Sequence, residues 1–286
     1  MIVQSWASRP EPWPFLTKRL LRIYPGFVLA TLLCVFVVGP LATDPREYFK
    51  AFWVTGLVKN LLFLEAPISA PVFKGTFYAV LNGAMWTISY EFICYLIVLL
   101  FGVIGAMRYR GAWLLATAGI FSALALGHAG IFISKDPFLR LASFFFSGGC
   151  FYLYRDYIKY QPKLAALSLV VMIASMFSHY TVELALGTIG AYLLFYFATF
   201  PIQPLQSFNR LPDVSYGTYL YGWPIQKLLL WYFPSTSPWM LFPTSLSVCI
   251  VLGWISWQLV EKPMMRFKSV SLKSLHSRRK FEPDSL

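Results

Sequence analysis

Long apolar runs constrain this chain more than any other feature. Several stretches approach or exceed the roughly 18–20 residues that a helix needs to cross a bilayer. Of the 286 residues, 58% are hydrophobic and 13% are charged, whereas about a quarter of a soluble domain is charged. A β-barrel would show alternating strands of about ten residues, which this sequence lacks. We therefore predict an all-α fold, a polytopic membrane helical bundle.

Run lengths and boundary residues predict about eight spans. The predicted spans are Gly26–Thr43, Thr87–Met107, Ala112–Ile133, Leu139–Tyr154, Lys163–Ser178, Glu183–Phe200, Ser215–Phe233 and Trp239–Val260. Lys and Arg gather in the loops that become cytoplasmic if both termini lie inside, as the positive-inside rule requires. The predicted location is therefore the cytoplasmic (inner) membrane, with both termini cytoplasmic. Outside, Tyr48–Leu64 is expected to form an amphipathic or re-entrant helix.

The net charge of +12 does not call for a nucleic-acid partner. Orientation in the bilayer explains the loop charges, and binding to anionic lipid explains the basic C-terminal segment. We divide the chain into a membrane domain, residues 1–263, and a basic cytoplasmic tail, residues 264–286. The four cysteines lie in apolar runs without metal-ligand spacing, so neither a metal site nor a disulfide is expected.

Glu91 lies inside an apolar run, in the segment MWTISYEF, where a charge is costly. Thr87, Glu91 and Tyr95 are four residues apart and share one helical face. Trp86 is expected at the membrane interface. Two interpretations stay open: a functional carboxylate, or a carboxylate that caps the helix near its positive N-terminal end.

A second polar face lies in SYGTYLYGWPIQ. Ser215, Tyr219, Gly222 and Gln226 fall on one helical stripe, and Pro224 is expected to kink or unwind the helix. The stripe either lines a cavity or serves ordinary packing between helices.

Charges at the cytoplasmic face form a third group. Glu261 lies at a helix C-terminus, where the macrodipole disfavours an anion, so we expect a structural ion pair with Arg19 or Arg22. These two arginines are spaced i, i+3 on a short helix before the first span. They either orient the chain or form a phosphate clamp, since guanidinium groups suit phosphate.

Four segments occur in an order that resembles the acyltransferase-3 family of integral membrane acyltransferases. They are FLTKRLLRIYPGF, LNGAMWTISYEFICY, VSYGTYLYGWPIQ and VEKP. The resemblance implies transfer of an acyl group, commonly acetyl, from acyl-CoA to a hydroxyl of a cell-surface carbohydrate or glycolipid. It implies no permanently bound cofactor, because acyl-CoA is a substrate. It assigns Arg19 and Arg22 to the CoA phosphates and matches Glu91 to an acidic position in a supporting catalytic role.

The acceptor would lie against the polar residues of the two faces: Trp86, Thr87, Tyr95, Ser215, Tyr219 and Gln226. Family members often carry a histidine in the segment where Gly222 stands here.

One departure from the family concerns its catalytic histidine, which lies in an N-terminal span. This chain begins after that point, so we expect one or two family spans and the histidine to be missing. Three explanations stay open: a start assigned too late, an inactive relative, or a variant with another base. His128 is the candidate substitute base, although an interfacial histidine is the simpler interpretation.

Two other function classes also remain, a transporter or flippase of a lipid-linked sugar and a non-catalytic membrane subunit. The absence of an internal repeat and the four ordered segments favour the acyltransferase.

Overall fold

The computed structural model describes residues 2–67, 72–131, 137–199 and 213–267, and within these residues the regular structure is entirely helical. The helices, numbered here in chain order, are α1 Ile2–Ser8, α2 Pro12–Leu41, α3 Pro45–Lys50, α4 Val54–Phe63, α5 Trp86–Val103, α6 Arg110–His128, α7 Phe138–Leu153, α8 Pro162–Ser175, α9 His179–Thr199, α10 Ser215–Tyr232 and α11 Pro238–Phe267. Single π-helical turns interrupt α2, α9 and α11 at Cys34–Val38, Leu186–Gly190 and Trp257–Glu261.

Five helices of the described residues, α2, α5, α6, α9 and α11, are long and apolar enough to cross a membrane. This supports an integral membrane protein. Each of the eight predicted spans coincides with a helix, but α7 and α8 have 16 and 14 residues and fall short of a full crossing. The 18 residues of α10 include the predicted polar stripe, and α10 is not among the five. The count of eight remains a prediction.

Helix boundaries differ from the prediction in three places. Arg19 and Arg22 lie within the long helix α2, not on a separate short helix, because the helical backbone runs uninterrupted past Pro25. The segment predicted as one helix, Tyr48–Leu64, is divided between α3 and α4. The predicted tail lies outside the described residues, except for 264–267, which continue α11.

The chain divides into two compact units, and two of the three boundaries between them fall inside α2 and α5. Unit 1 comprises Met1–Phe15 and Tyr90–Arg210. Its core contains Trp113, which stacks on Phe146 at a ring separation of 4.5 Å and donates a 2.9 Å hydrogen bond to the Phe146 carbonyl. A buried aromatic pair with its indole N–H satisfied holds α6 against α7.

Unit 2 comprises Leu16–Ser89 and Leu211–Leu286. Within it α10 and α11 approach closely at a pair of glycines. A Cβ added to Gly217 would lie 2.6 Å from the Cα of Gly253. Small residues at such a crossing allow two membrane helices to make backbone contact, which gains dispersion energy that lipid cannot replace.

Pro224 does not unwind α10, contrary to one form of the prediction, since the helix continues from Ser215 to Tyr232. Proline has no N–H, so the carbonyl four residues earlier, that of Leu220, loses its helical partner. The side chain of Asn82 donates to this carbonyl at 2.8 Å, and both residues are buried. Asn82 thereby replaces the hydrogen bond that Pro224 removes, and it fixes the segment before α5 to the middle of α10.

The glycine crossing predicts that Gly217→Ala destabilises the protein by about 1–3 kcal/mol, because the new methyl group would overlap backbone of α11. The control is Gly222→Ala on the same helix, where an added Cβ meets no heavy atom within 4 Å. Thermal unfolding in detergent measures both variants. Equal stability of the two would contradict close packing at Gly217.

The Asn82 bond predicts a coupling between Asn82 and Pro224. Asn82→Ala should cost about 1–3 kcal/mol, because it leaves a buried carbonyl unpaired. In a Pro224→Ala background the cost should be smaller, since the restored N–H pairs with Leu220. A double-mutant cycle on thermal stability isolates this term; a cost of Asn82→Ala that is identical in both backgrounds would refute the replacement.

Candidate functional site

A hydroxyl cluster in unit 2 joins the start of α5 to α10. The Tyr219 hydroxyl donates to the backbone carbonyl of Ala84, and it lies 2.6 Å from the Thr87 hydroxyl. Asn82 holds the Ala84 backbone in place, since its Oδ1 accepts from the Ala84 N–H at 3.0 Å. Thr87 and Tyr219 were predicted from separate segments, and the structure brings them together.

The same segment is held by a close approach at Gly83. A Cβ at this position would lie 2.6 Å from Cζ2 of Trp223, so the indole ring covers the glycine backbone. Tyr219 is 40% exposed. The hydroxyl cluster therefore combines a fixed backbone with a side chain that a ligand can reach.

An ion pair in unit 2 lies at the N-terminal half of α2. The Arg22 guanidinium donates to the carboxylate of Asp213, and the Ser215 hydroxyl donates to the same carboxylate at 2.6 Å. The side chains of Arg22 and Asp213 are 31% and 43% exposed, so solvent reaches both. Arg19 lies three residues earlier on α2 and is half-buried. Asp213 thus fixes the Arg22 guanidinium at a surface that solvent can reach.

The charges around Asp213 determine its ionisation. Partial burial alone would raise its pKa. The hydrogen bonds from Ser215 and Arg22, together with the positive charge of Arg22, outweigh burial and bring the pKa of Asp213 below its ordinary value. Asp213 is therefore a carboxylate at neutral pH. Sequence reasoning missed this residue, because a lone Asp before a span carries no local signal of its partner on α2.

Glu261 is buried, 1% exposed, in the π-helical turn of α11. Its Oε1 accepts from the Ser256 hydroxyl at 3.1 Å, and its Oε2 has no hydrogen-bond partner among the residues that the structure describes. The expected ion pair with Arg22 is not formed within 4 Å, because Arg22 pairs with Asp213 instead. The carboxyl group faces Gly26 of α2, where an added Cβ would lie 3.3 Å from its Cδ.

In unit 1, Glu91 is exposed on α5 and accepts a hydrogen bond from the Tyr95 hydroxyl. Tyr95 is buried, with its ring 6.3 Å from that of Phe145. The two residues thus share a face, as their spacing predicts. This contact is compatible with both interpretations of Glu91, and each stays a prediction.

The other predicted residues take separate positions. Trp86 begins α5 and is 37% exposed. Gln226 is exposed on α10, and its side chain makes no hydrogen bond within the described ranges. His128 lies in unit 1, where its Nε2 is 3.2 Å from Glu183, whose other oxygen accepts from Arg140 at 3.4 Å.

Comparison with known proteins places the chain in a family. The acyltransferase domain model matches residues 1–258. An O-acetyl transferase of Shigella phage Sf6 is 28% identical over 276 residues, which cover 90% of this chain and 79% of the relative. Nodulation protein 10 of Rhizobium leguminosarum bv. viciae is 24% identical over 296 residues, covering 94% and 80% of the two chains. No solved structure matches the chain. Since the family model covers residues 1–258 of the 286, the chain belongs to the acyltransferase-3 family.

Proposed function

We propose that this protein is a membrane O-acyltransferase that moves an acyl group, most simply acetyl, from acyl-CoA to a hydroxyl of a cell-surface carbohydrate or glycolipid. Family membership and the relative named O-acetyl transferase support the acyl transfer. The observation that carries the donor assignment is the accessible Arg22, fixed by Asp213. The transporter and the non-catalytic subunit gain no support from the comparisons.

The reaction sets simple chemical demands. The acceptor hydroxyl oxygen attacks the thioester carbonyl, a C–O bond forms and the C–S bond breaks, and the hydroxyl proton ends on the CoA sulfur. A general base must take that proton, and hydrogen-bond donors must stabilise the developing oxyanion. The Tyr219 hydroxyl donates its proton to Ala84, and the Thr87 hydroxyl can then donate to Tyr219. In this arrangement the two hydroxyls offer lone pairs that would accept hydrogen bonds from the acceptor sugar. Glu91, held by Tyr95, would bind acceptor hydroxyls or orient a base, and we assign no residue to the base.

The donor would bind through its phosphates. A guanidinium presents a fork of N–H groups that fits carboxylate and phosphate alike. One nitrogen of Arg22, Nη2, already donates to the carboxylate of Asp213. A CoA phosphate must therefore share Arg22 with Asp213 or replace it, while Arg19 on the same helix adds a second charge. On the predicted orientation this end of α2 is cytoplasmic, where CoA is available.

The function is tested by mass spectrometry of surface carbohydrate from cells with and without the gene. We expect O-acyl groups to be lost with the gene. Unchanged acylation, together with altered movement of a labelled lipid-linked sugar, would instead support the transporter.

The donor assignment predicts that Arg22→Gln weakens acetyl-CoA binding by about tenfold or more, since it removes a charge-assisted hydrogen bond. Calorimetry on the purified full chain measures this without knowledge of the acceptor. The control is Arg155→Gln, an exposed arginine paired with Asp156 at 3.8 Å in unit 1, which should bind acetyl-CoA normally. If Arg22→Gln binds acetyl-CoA with wild-type affinity, Arg22 is not part of the donor site.

The pairing of Asp213 with Arg22 predicts whether removing the Asp213 charge tightens or weakens acetyl-CoA binding. If its carboxylate competes with phosphate for Arg22, Asp213→Asn should tighten acetyl-CoA binding by up to about fivefold, the range of an exposed ion pair. Because the pKa of Asp213 lies below its ordinary value, its charge, and hence the competition, should persist from pH 8 down to about pH 5 and disappear only in stronger acid. Weaker binding by Asp213→Asn would show that Asp213 positions Arg22 instead.

A further inference from the structure

A cavity of about 510 Å³ lies in unit 1, beside α1 and the C-terminal ends of α5 and α7. Its walls include Trp6, Val103, Met107 and Leu153, and the side chain at its charged edge is Arg108. The indole of Trp6 packs directly on Gly102, where an added Cβ would lie 2.1 Å from Cε2. The cavity is thus mostly apolar, with a single cation at one side.

The position of the cavity relates it to the membrane boundary. Helix α5 ends at Val103 and α6 begins at Arg110, so the turn between them marks one end of two apolar spans. Leu153 is the last residue of α7 and lines the same cavity. Span ends lie where hydrocarbon gives way to headgroups and water. On the predicted orientation, this boundary belongs to the cytoplasmic leaflet, in which anionic lipids concentrate.

Arg108 differs from the neighbouring arginines in its pairing. Arg9 pairs with Glu11 at 3.1 Å, and Arg110 and Arg155 each lie 3.8 Å from Asp156. Within the residues that the structure describes, Arg108 has no acidic partner, and it is exposed. The Arg108 guanidinium at the edge of an apolar cavity would therefore bind best a ligand that joins an anionic group to a hydrocarbon chain.

We propose that this cavity binds one anionic phospholipid. The phosphate lies on Arg108, and the first part of an acyl chain packs against Trp6, Val103 and Leu153. A volume of this order accommodates a headgroup and part of a chain, so the rest of the lipid stays in the bilayer. Charge complementarity and the apolar walls together select this occupant over a free phosphate, which would use only the arginine. The site is independent of the proposed acyl transfer.

Native mass spectrometry of the full chain in mild detergent tests the site, with phosphatidylglycerol and phosphatidylcholine as probes. The wild type should bind one phosphatidylglycerol about fivefold more tightly than phosphatidylcholine, the effect of one arginine near a lipid surface. Arg108→Gln should abolish this preference. The matched control, Arg155→Gln, removes a paired arginine from the same end of the unit and should keep it.

A second variant tests the apolar part. Ala7→Trp fills the cavity from an exposed position of α1 and leaves Arg108 intact, so binding of both lipids should fall. Thermal unfolding and size-exclusion chromatography show whether each variant is folded. The proposal is overturned if the wild type shows no preference for phosphatidylglycerol, if Arg108→Gln keeps that preference, or if excess inorganic phosphate displaces the lipid.

Discussion

The hydrogen bond from Asn82 to the Leu220 carbonyl is the interaction on which the candidate site of unit 2 depends. Pro224 leaves that carbonyl without its helical partner, and a buried carbonyl in a membrane protein has no water to take its place. Asn82 supplies the missing donor at 2.8 Å. The same amide fixes the backbone at Ala84, on which the Tyr219 hydroxyl rests. The hydrogen bond that Pro224 removes from α10 is thus replaced by Asn82, more than a hundred residues earlier in the chain, and this replacement fixes the backbone at Ala84.

Electrostatics at the N-terminal half of α2 follow a similar logic. Arg22 is half-buried within α2, where an unpaired charge would be costly, and Asp213 neutralises it while leaving both side chains accessible. Ser215, predicted to line a cavity or to pack between helices, donates a hydrogen bond to the Asp213 carboxylate. Glu261, by contrast, is enclosed against Gly26, and one of its oxygens has no hydrogen-bond partner within the described part of the chain. Arg22 therefore pairs with Asp213, which lies outside the spans, and not with Glu261, which lies within α11.

Local patterns predicted much of this. Apolar run length located a helix in each predicted span, and the four-residue spacing of Glu91 and Tyr95 placed them in hydrogen-bond contact. The failures involve partners distant in sequence. Nothing next to Asn82 or Asp213 in the sequence indicates that each meets a residue of another helix. Of the two arginines expected near Glu261, Arg22 pairs with Asp213, a carboxylate that no local pattern marks.

The sequence by itself determined that the chain is helical and apolar enough for a membrane, which polar faces it carries, and which family it resembles, because these properties depend on composition and on periodicities of a few residues. Only the tertiary structure decided which polar groups pair. Hydrogen bonds and ion pairs act over about 3–4 Å, and the distances between helices at that scale follow from packing, such as the contact of Gly217 with Gly253. The order of residues along the chain does not specify those distances between helices.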